Sequence, residues 1–297
     1  MADINRTDVS TLIEEAYSHV LLDAAVASST VLQAFPKVNM GTKTTHLPVL
    51  ASLPTAGWVS ETAAKPTSEV TWADLTLVAE EIAVIVPVHE NVLDDATTSI
   101  LEEVTRRGGE AIGKVLDSAV IHGTNKPSSW VSPDLVAAAV AASQTSAITL
   151  GAANVADIPG SINKAGRQLA KTGFMPDTLL GPLTLRYDVE NIRDSTGAPI
   201  FRNESLGGYQ TYFNRNGAWE AAEASLIVVD SSRVRIGVRQ DITVKFLDQA
   251  TVGSINLAER DMVAIRMKAR FAYVLGISTT TLGTNQTPVA IATGAGS

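Results

Sequence analysis

Hydrophobic positions change their period along the chain. In residues 1–36, "TLIEEAYSHVLLDAAVASSTVLQAF" places Leu12, Ala16, Val20 and Leu21 on one helical face, and a second piece at Val31 to Phe35 leads into Pro36. This part reads as an arm. From Lys37 to Val88 the period becomes two. "KTTHLPVL" alternates Thr45, Leu47 and Val49 against His46, Pro48 and Leu50, and "LTLVAEEIAVIVPVHENVL" sets Ile82, Val84, Val86 and Val88 on one side. Between them lies "ASLPTAGWVSETAAKPTSEVTW", small and polar, with two prolines and one glycine. The pattern predicts a long hairpin with a mobile loop at its tip. A connection of that length without structure of its own points to a binding loop.

Helical spacing then returns in "TTSILEEVTRRGGEAIGKVLDSAVIHGTNKP", where Ile100, Val104, Gly108, Ala111, Val115 and Ala119 share a face. Thr97, Thr98 or Ser99 supplies the N-cap, Glu102 and Glu103 suit the first turn, and Gly123 with Pro127 ends the helix. At 1.5 Å per residue it spans roughly 35 Å. A small-residue stretch follows. A helix capped by Asp157 or Ser161 and stopped by Gly173 leads to a short buried strand, "DTLLG", and a helix starting at Pro182. Residues 201–224 read as loop. "SLIVVDSSRVRIGVRQDITVKFLD" holds two strands around a turn. "RDMVAIRMKARFAYVLGIS" alternates Val263, Ile265, Met267 and Ala269 against Ala264, Arg266, Lys268 and Arg270, a strand with one basic face. The last residues read as a frayed polar tail. The order of elements is that of an α+β fold.

Composition narrows the function. Of 297 residues, 18% are charged, below the ordinary figure of about 25%, which suits a surface partly covered by partners. The net charge of −8 argues against a general nucleic-acid binder. There is no cysteine, so disulfides, thiolate metal sites and cysteine nucleophiles are excluded. No run of about 18 apolar residues suggests a membrane span, and the first residues lack the apolar run of a signal peptide. Asn-x-Ser/Thr triplets at Asn5, Asn203 and Asn285 are chance matches without secretion.

Candidate chemistry fails residue by residue. "RRGGEAIGKVL", Arg106 to Leu116, approaches a phosphate-binding loop, but Val115 stands where Ser or Thr must hold magnesium. Its glycines lie inside a helical pattern already running from Ile100, so they predict close packing or a bend. The four histidines His19, His46, His89 and His122 are scattered, and "VHENVL" has Leu93 where a second zinc-binding His must be. Asp94 and Asp95 read as caps of the following helix. No G-x-S-x-G occurs. No catalytic, metal or cofactor residue is expected. Trp58 reads equally as core or as an interface anchor; Trp72, Trp130 and Trp219 read as core. Arg266, Lys268 and Arg270, with Arg233, Arg235 and Arg239, form either a solvated basic face or one that pairs with Glu61, Glu80 or Glu81 of a neighbouring chain.

The stretch "PVLASLPTAGWVSETAAKPTSEVTWADLTLVAEEIAVIVPVHENVLDDA" resembles the hairpin of the tailed-bacteriophage major capsid proteins, a fold shared with encapsulin shells: a strand, a Trp-Val-x-Glu-x-x-x-Lys-Pro loop, then strands ending in an acidic turn. "VLDSAVIHGT" resembles that family's spine helix with its Asp-x-Ala-x-x-x-Gly close. The likeness spans about Lys37 to Gly276. It implies an arm at 1–36, an extended hairpin at 37–88, a peripheral domain at 89–130 and 245–297, and an axial domain at 131–244. It further implies a non-enzymatic subunit without cofactor, self-assembling as hexamers and pentamers into an icosahedral virion shell around double-stranded DNA that it contacts non-specifically. Assembly in the bacterial cytoplasm, without a membrane, and with separate scaffold, portal and decoration proteins, belongs to the same expectation. Trp58, Glu61, Lys65, Glu80, Glu81, Arg266, Lys268 and Arg270 are then the candidate inter-subunit contacts. An encapsulin-like compartment is the alternative within the fold, and a nucleotide-binding enzyme using Gly108 to Lys114 the alternative outside it.

Overall fold

A computed structural model describes residues 20–61, 63–90, 100–148, 157–190, 192, 208–239 and 243–294. The proposed cap at Thr97, Thr98 or Ser99, the acids Asp94 and Asp95, Leu93, His19, Leu12, Ala16, Asn5 and Asn203 lie outside them. Residues 20–28 form helix α1, and α2 follows at Thr30–Ala34. The chain then enters the parallel partner strand β1 (Lys37–Met40) and the hairpin strands β2 (Thr44–Leu50) and β3 (Trp72–Val78). Strand β4 (Glu80–His89) precedes the spine helix α3 (Ile100–Ile121). Helix α4 is Leu135–Ala141 and strand β5 is Thr145–Ala147.

The first sheet is built on β13 (Met262–Leu275), 14 residues long. Its residues 264–268 are flanked by β4 and by β10 (Thr243–Leu247), and residues 271–275 pair with β9 (Val234–Arg239), which carries β1. The alternation predicted for β13 places Ile265, Met267 and Ala269 inside and Arg266, Lys268 and Arg270 at the surface. Ala264 is buried as well.

Helix α3 crosses this sheet. Its glycines explain how. A Cβ on Gly108 would collide with Met267 of the sheet; one on Gly109 would sit 2.7 Å from the Leu21 carbonyl oxygen and 2.8 Å from the Ala24 Cβ; one on Gly113 would meet Ser28. The helix is thus pressed between the sheet and α1, and close packing outweighs the roughly 1 kcal/mol that each helical glycine costs. The buried stripe is Thr105, Gly108, Gly109, Ile112, Gly113, Leu116 and Val120. Ala111 and Val115, expected inside, are exposed, because contact from two sides centres the stripe between them.

Asp117 of α3 is fully buried and collects five donors. Ser29 donates its hydroxyl across 2.6 Å, the Thr30 and Val31 backbone N–H groups donate at 2.8 and 3.1 Å, and Asn214 and Asn216 donate at 3.1 and 2.8 Å. The carboxyl therefore caps α2 from another helix and joins the arm to the second sheet. Burial pushes its pKa up, against the downward pull of these donors.

The second sheet runs β5–β16–β8–β6–β7, with β6 at Thr178–Pro182, β7 at Gln210–Asn214, β8 at Leu226–Val229 and β16 at Val289–Thr293. Helix α5 (Ile158–Lys171) covers one face through Ile162, Ala165 and Leu169 against Leu226 and Val228, while Ile227, Val229 and Ile291 join the core shared with α3 and α4. Strands covered on both faces read as continuous apolar runs such as "LIVV". Asp157 caps α5, accepting from Gly160 N–H at 2.9 Å.

Four expectations are corrected here. Through residue 294 the tail is ordered into strands rather than frayed: β14 (Ser278–Thr280) and β15 (Gly283–Gln286) form a ribbon, and β16 is buried between β5 and β8. Pro182 ends β6, and helix α6 begins after it at Leu183–Glu190. Part of the loop-like 201–224 segment is strand β7. The stretch "SLIVVDSSRVRIGVRQDITVKFLD" holds three strands rather than two, β8, β9 and β10, and a single turn of 3-10 helix at Ser231–Arg233 passes the chain from the second sheet to the first. The small ribbon β11 (Thr251–Val252) and β12 (Ile255–Asn256) completes the fold. Among the described residues no helix is long and apolar enough to cross a membrane.

Candidate inter-subunit contact surface

The hairpin is held along one face and bare on the other. Strands β2 and β3 pair from Thr44↔Val78 to Leu50↔Trp72. Thr45, Leu47 and Val49 face inward as the alternation predicts, and Leu47, Leu75 and Leu77 pack with Met40, Ala272 and Val274. Trp130 donates its indole N–H to the Val78 carbonyl at 3.0 Å, and Thr279 donates its hydroxyl to the Ala51 carbonyl at 2.7 Å. These contacts pin both ends of the paired region, so the 51–71 loop leaves the body from a fixed base.

Small polar residues close that base. Ala51 N–H meets the Thr71 carbonyl at 2.8 Å, Thr71 N–H meets Ser52 Oγ at 2.8 Å, and Thr55 N–H meets Ser68 Oγ at 2.9 Å. Beyond it, every described residue from Pro54 to Asp74 is exposed. Trp58 is wholly in water, at 106% relative exposure. Burying a Trp removes about 150–250 Å² from water, worth roughly 4–6 kcal/mol at 25 cal/mol per Å². Glu61 and Lys65 stand on the same loop, both exposed.

Trp72 belongs to this surface rather than to the core where it was expected: it is 67% exposed and lies directly across from Leu50, also exposed, on the outer face. The alternation of β2 already put Leu50 outward, and the register then carries Trp72 with it. Val70 adds to the patch. Trp130 is buried and Trp219 half-buried, as read.

The remaining candidates lie apart from the loop, on the first sheet. Glu81 of β4 stands directly opposite Arg270 of β13. Arg270 reaches it with Nη2 at 3.0 Å and Nε at 3.1 Å, and Lys268 with Nζ at 3.4 Å. The Arg270 guanidinium, helped by Lys268, holds the Glu81 carboxyl below the usual carboxylate range. The acid sought in a neighbouring chain is thus supplied to these two cations by the same chain. Glu80 lies 3.8 Å from Lys43. Arg266 faces Lys245 of β10 and Ile85 of β4, and has no ion pair among the described residues. Arg233 lies over the Phe174 ring at 5.8 Å, and Arg235 donates to the Val234 carbonyl at 3.0 Å.

Among the described residues, the sequence's candidate chemical groups are not brought together into a metal centre. Lys114 is exposed beyond glycines occupied in packing. His46 bonds Asp74 on the hairpin, His89 is exposed at the end of β4, and His122 is buried where α3 ends. The His122 Nδ1–H donates to Glu223 at 2.8 Å, and its Nε2 accepts the Glu220 N–H at 3.0 Å, a pattern that assigns the neutral Nδ1–H tautomer. No group of three or more His, Asp or Glu side chains could hold a metal among the described residues.

Residues 10–276 match the phage capsid family. The chain belongs to that family. It is a major capsid protein, a structural subunit and not an enzyme, and the encapsulin-like alternative is not favoured over this assignment. Three solved structures agree over the whole length. A chain of Mycobacterium phage Bobi is 66% identical, with a TM-score of 0.82 and 100% of both chains covered. One of Mycobacterium phage Cain is 62% identical, with a TM-score of 0.82 and 99% of each chain covered. One of Mycobacterium phage Adephagia is 59% identical, with a TM-score of 0.83, covering 100% of this capsid protein and 99% of its own chain. No curated protein matches.

Proposed function

We propose that this capsid protein assembles as hexamers and pentamers into an icosahedral phage head enclosing double-stranded DNA, and that the 51–71 loop is a principal contact between its copies. The carrying observation is the loop itself: a pinned base and a fully exposed tip with Trp58 in water. A two-stranded ribbon bare on one face is poorly stable in water alone, and a large exposed apolar patch marks a contact surface. Trp58 is the apolar anchor, Glu61 and Lys65 give the tip charges of both signs, and Trp72 with Leu50 extends the surface along the strands. Arg266 is the sheet residue best placed to take an acid from another copy; Lys268 and Arg270 share Glu81, and Glu80 pairs with Lys43.

Closed rings repeat one heterologous contact, and many such contacts act together because each raises the effective concentration for the next. The α+β body supports a division into arm, hairpin, a unit around α3 with the β13 sheet, and a unit around the second sheet; β16 brings residues 289–293 into the latter. Scaffold, portal and decoration proteins, and assembly in the host cytoplasm, complete the reading. Cryo-electron microscopy of particles formed by the full chain tests it. Fivefold and sixfold capsomers with Trp58 buried against a neighbour are expected; particles in which the loop stays in solvent would remove its assigned role.

A further inference from the structure

Asn216 and Gly217 form the one Asn-Gly step in the 297 residues. With no Cβ on the glycine, its backbone nitrogen can approach the asparagine's side-chain carbonyl carbon. The fold turns the two toward each other. Asn216 Oδ1 accepts the Ala218 N–H at 3.0 Å, which curls the side chain back over its own backbone. Nδ2 donates to Asp117 at 2.8 Å and to the Ser28 carbonyl at 3.1 Å. Gly217 is exposed with φ at +71°, and its N–H has no acceptor among the described residues. Lys114 stands beside it: a Cβ built on Gly217 would lie 3.7 Å from Nζ. The open groove at this place is lined by the cations Arg106, Arg107, Lys114 and Arg215 against the acids Asp23 and Glu110. That positive excess eases loss of the Gly217 amide proton.

We propose that Asn216 is a self-modification site, where attack by the Gly217 nitrogen converts the amide to aspartate or isoaspartate and so releases the α1–α2 junction. Hydroxide takes the Gly217 amide proton, and the nitrogen bonds to Asn216 Cγ. Negative charge moves to Oδ1, where the Ala218 N–H already points and the Lys114 charge stands nearby. The Cγ–Nδ2 bond then breaks, Nδ2 takes a proton from water, and ammonia departs, leaving a cyclic succinimide. Water opens that ring at either carbonyl, giving aspartate or isoaspartate. The net exchange is water in and ammonia out, and solvent supplies everything the chain does not.

The product cannot keep the contacts of the amide. Asn216 lends Asp117 a donor; a carboxylate in its place sets two like charges within hydrogen-bond reach and leaves the Ser28 carbonyl without that donor. Ser29, Thr30 and Val31, which join α1 to α2, hold the same Asp117, so conversion loosens the grip of the spine helix on that junction irreversibly. Asn214 supplies an internal control. It donates to Asp117 at 3.1 Å but is followed by Arg215, whose Cβ shields the nitrogen. The inference concerns the single chain and stands apart from the assembly reading.

The test incubates the full-length chain, folded and unfolded in urea, at neutral and at mildly alkaline pH. Peptide mapping by mass spectrometry and labelling with an isoaspartate methyltransferase follow Asn214 and Asn216. In the folded chain a gain of a single mass unit at Asn216, faster at the higher pH and with Asn214 intact, is expected. Lys114→Gln should slow it about threefold, the size of a partly screened surface charge, and only in the folded chain. Thermolysin should cut residues 20–36 faster in converted chains than in fresh ones, and in Asn216→Asp without incubation. A folded chain that keeps Asn216 while the unfolded chain converts would show that the fold protects the amide, and would overturn the proposal. Converted chains as resistant to thermolysin as fresh ones would overturn the release of the junction.

Discussion

Ser29 donates its hydroxyl to Asp117 across 2.6 Å, linking the end of the arm to the spine helix 88 positions further along the sequence. Every partner of this carboxyl is a donor. Asp117→Asn turns one oxygen into an amide that opposes those donors, so it should cost about 2–4 kcal/mol by urea unfolding and free the arm to limited proteolysis. A variant as stable as the parent would show that the hub does not hold the arm.

The same carboxyl sets a pH dependence. Its folded pKa is raised above the unfolded value near 3.9. A raised folded pKa contributes stability present below the unfolded value and lost as pH rises through the folded one. The stability difference between the parent and Asp117→Asn should therefore shrink as pH rises from about 4 through the raised value. Unfolding curves across that range check it; a difference that widened with pH would mean that the donors outweigh burial.

Glu81 titrates with the opposite sign. Held below its ordinary range, it contributes stability present above the unfolded pKa and lost as pH falls through the lowered folded value. The pair is partly exposed, so a double-mutant cycle of Glu81→Gln with Arg270→Met should give a coupling of about 0.5 kcal/mol, fading in 1 M salt. No coupling at low salt would mean that the contact is idle in solution.

Gly109 admits α1 where a Cβ would stand 2.8 Å from Ala24. Gly109→Val should destabilise by roughly 2 kcal/mol, the overpacking cost outweighing the helix propensity gained. Thermal denaturation decides; a raised Tm would show that α1 yields freely.

The two tryptophans at the hairpin's ends should part company. Trp130 is buried with its indole satisfied, and Trp130→Ala should cost about 3–5 kcal/mol of folding stability. Trp58→Ala should change the stability of the isolated chain by less than about 0.5 kcal/mol yet reduce shell yield, which calorimetry and particle counts measure side by side.

What the sequence made legible was local. The inward set Thr45, Leu47 and Val49, the strand alternation at Ile265, Met267 and Ala269, and the packing glycines of α3 all follow from periodicity within one element. The failures came from distance. That Glu81 meets Arg270 depends on a register between strands 189 residues apart, and that Val289–Thr293 is a central strand depends on β8 accepting it. A four-residue apolar run, "VAIA", in a polar tail carries neither fact. Trp72 was misplaced for a related reason: its side follows from pairing with Leu50, not from its own neighbours.

Contact between copies through the 51–71 loop is tested most directly by removing the loop. Residues 54–69 should be replaced by a Gly-Ser pair, leaving the Ala51, Ser52 and Thr71 contacts of the base, and the variant compared with the parent by electron microscopy and sedimentation velocity. Closed shells are expected from the parent, and from the variant a folded chain of unchanged Tm that no longer closes them. Normal shells from the loopless chain would contradict it.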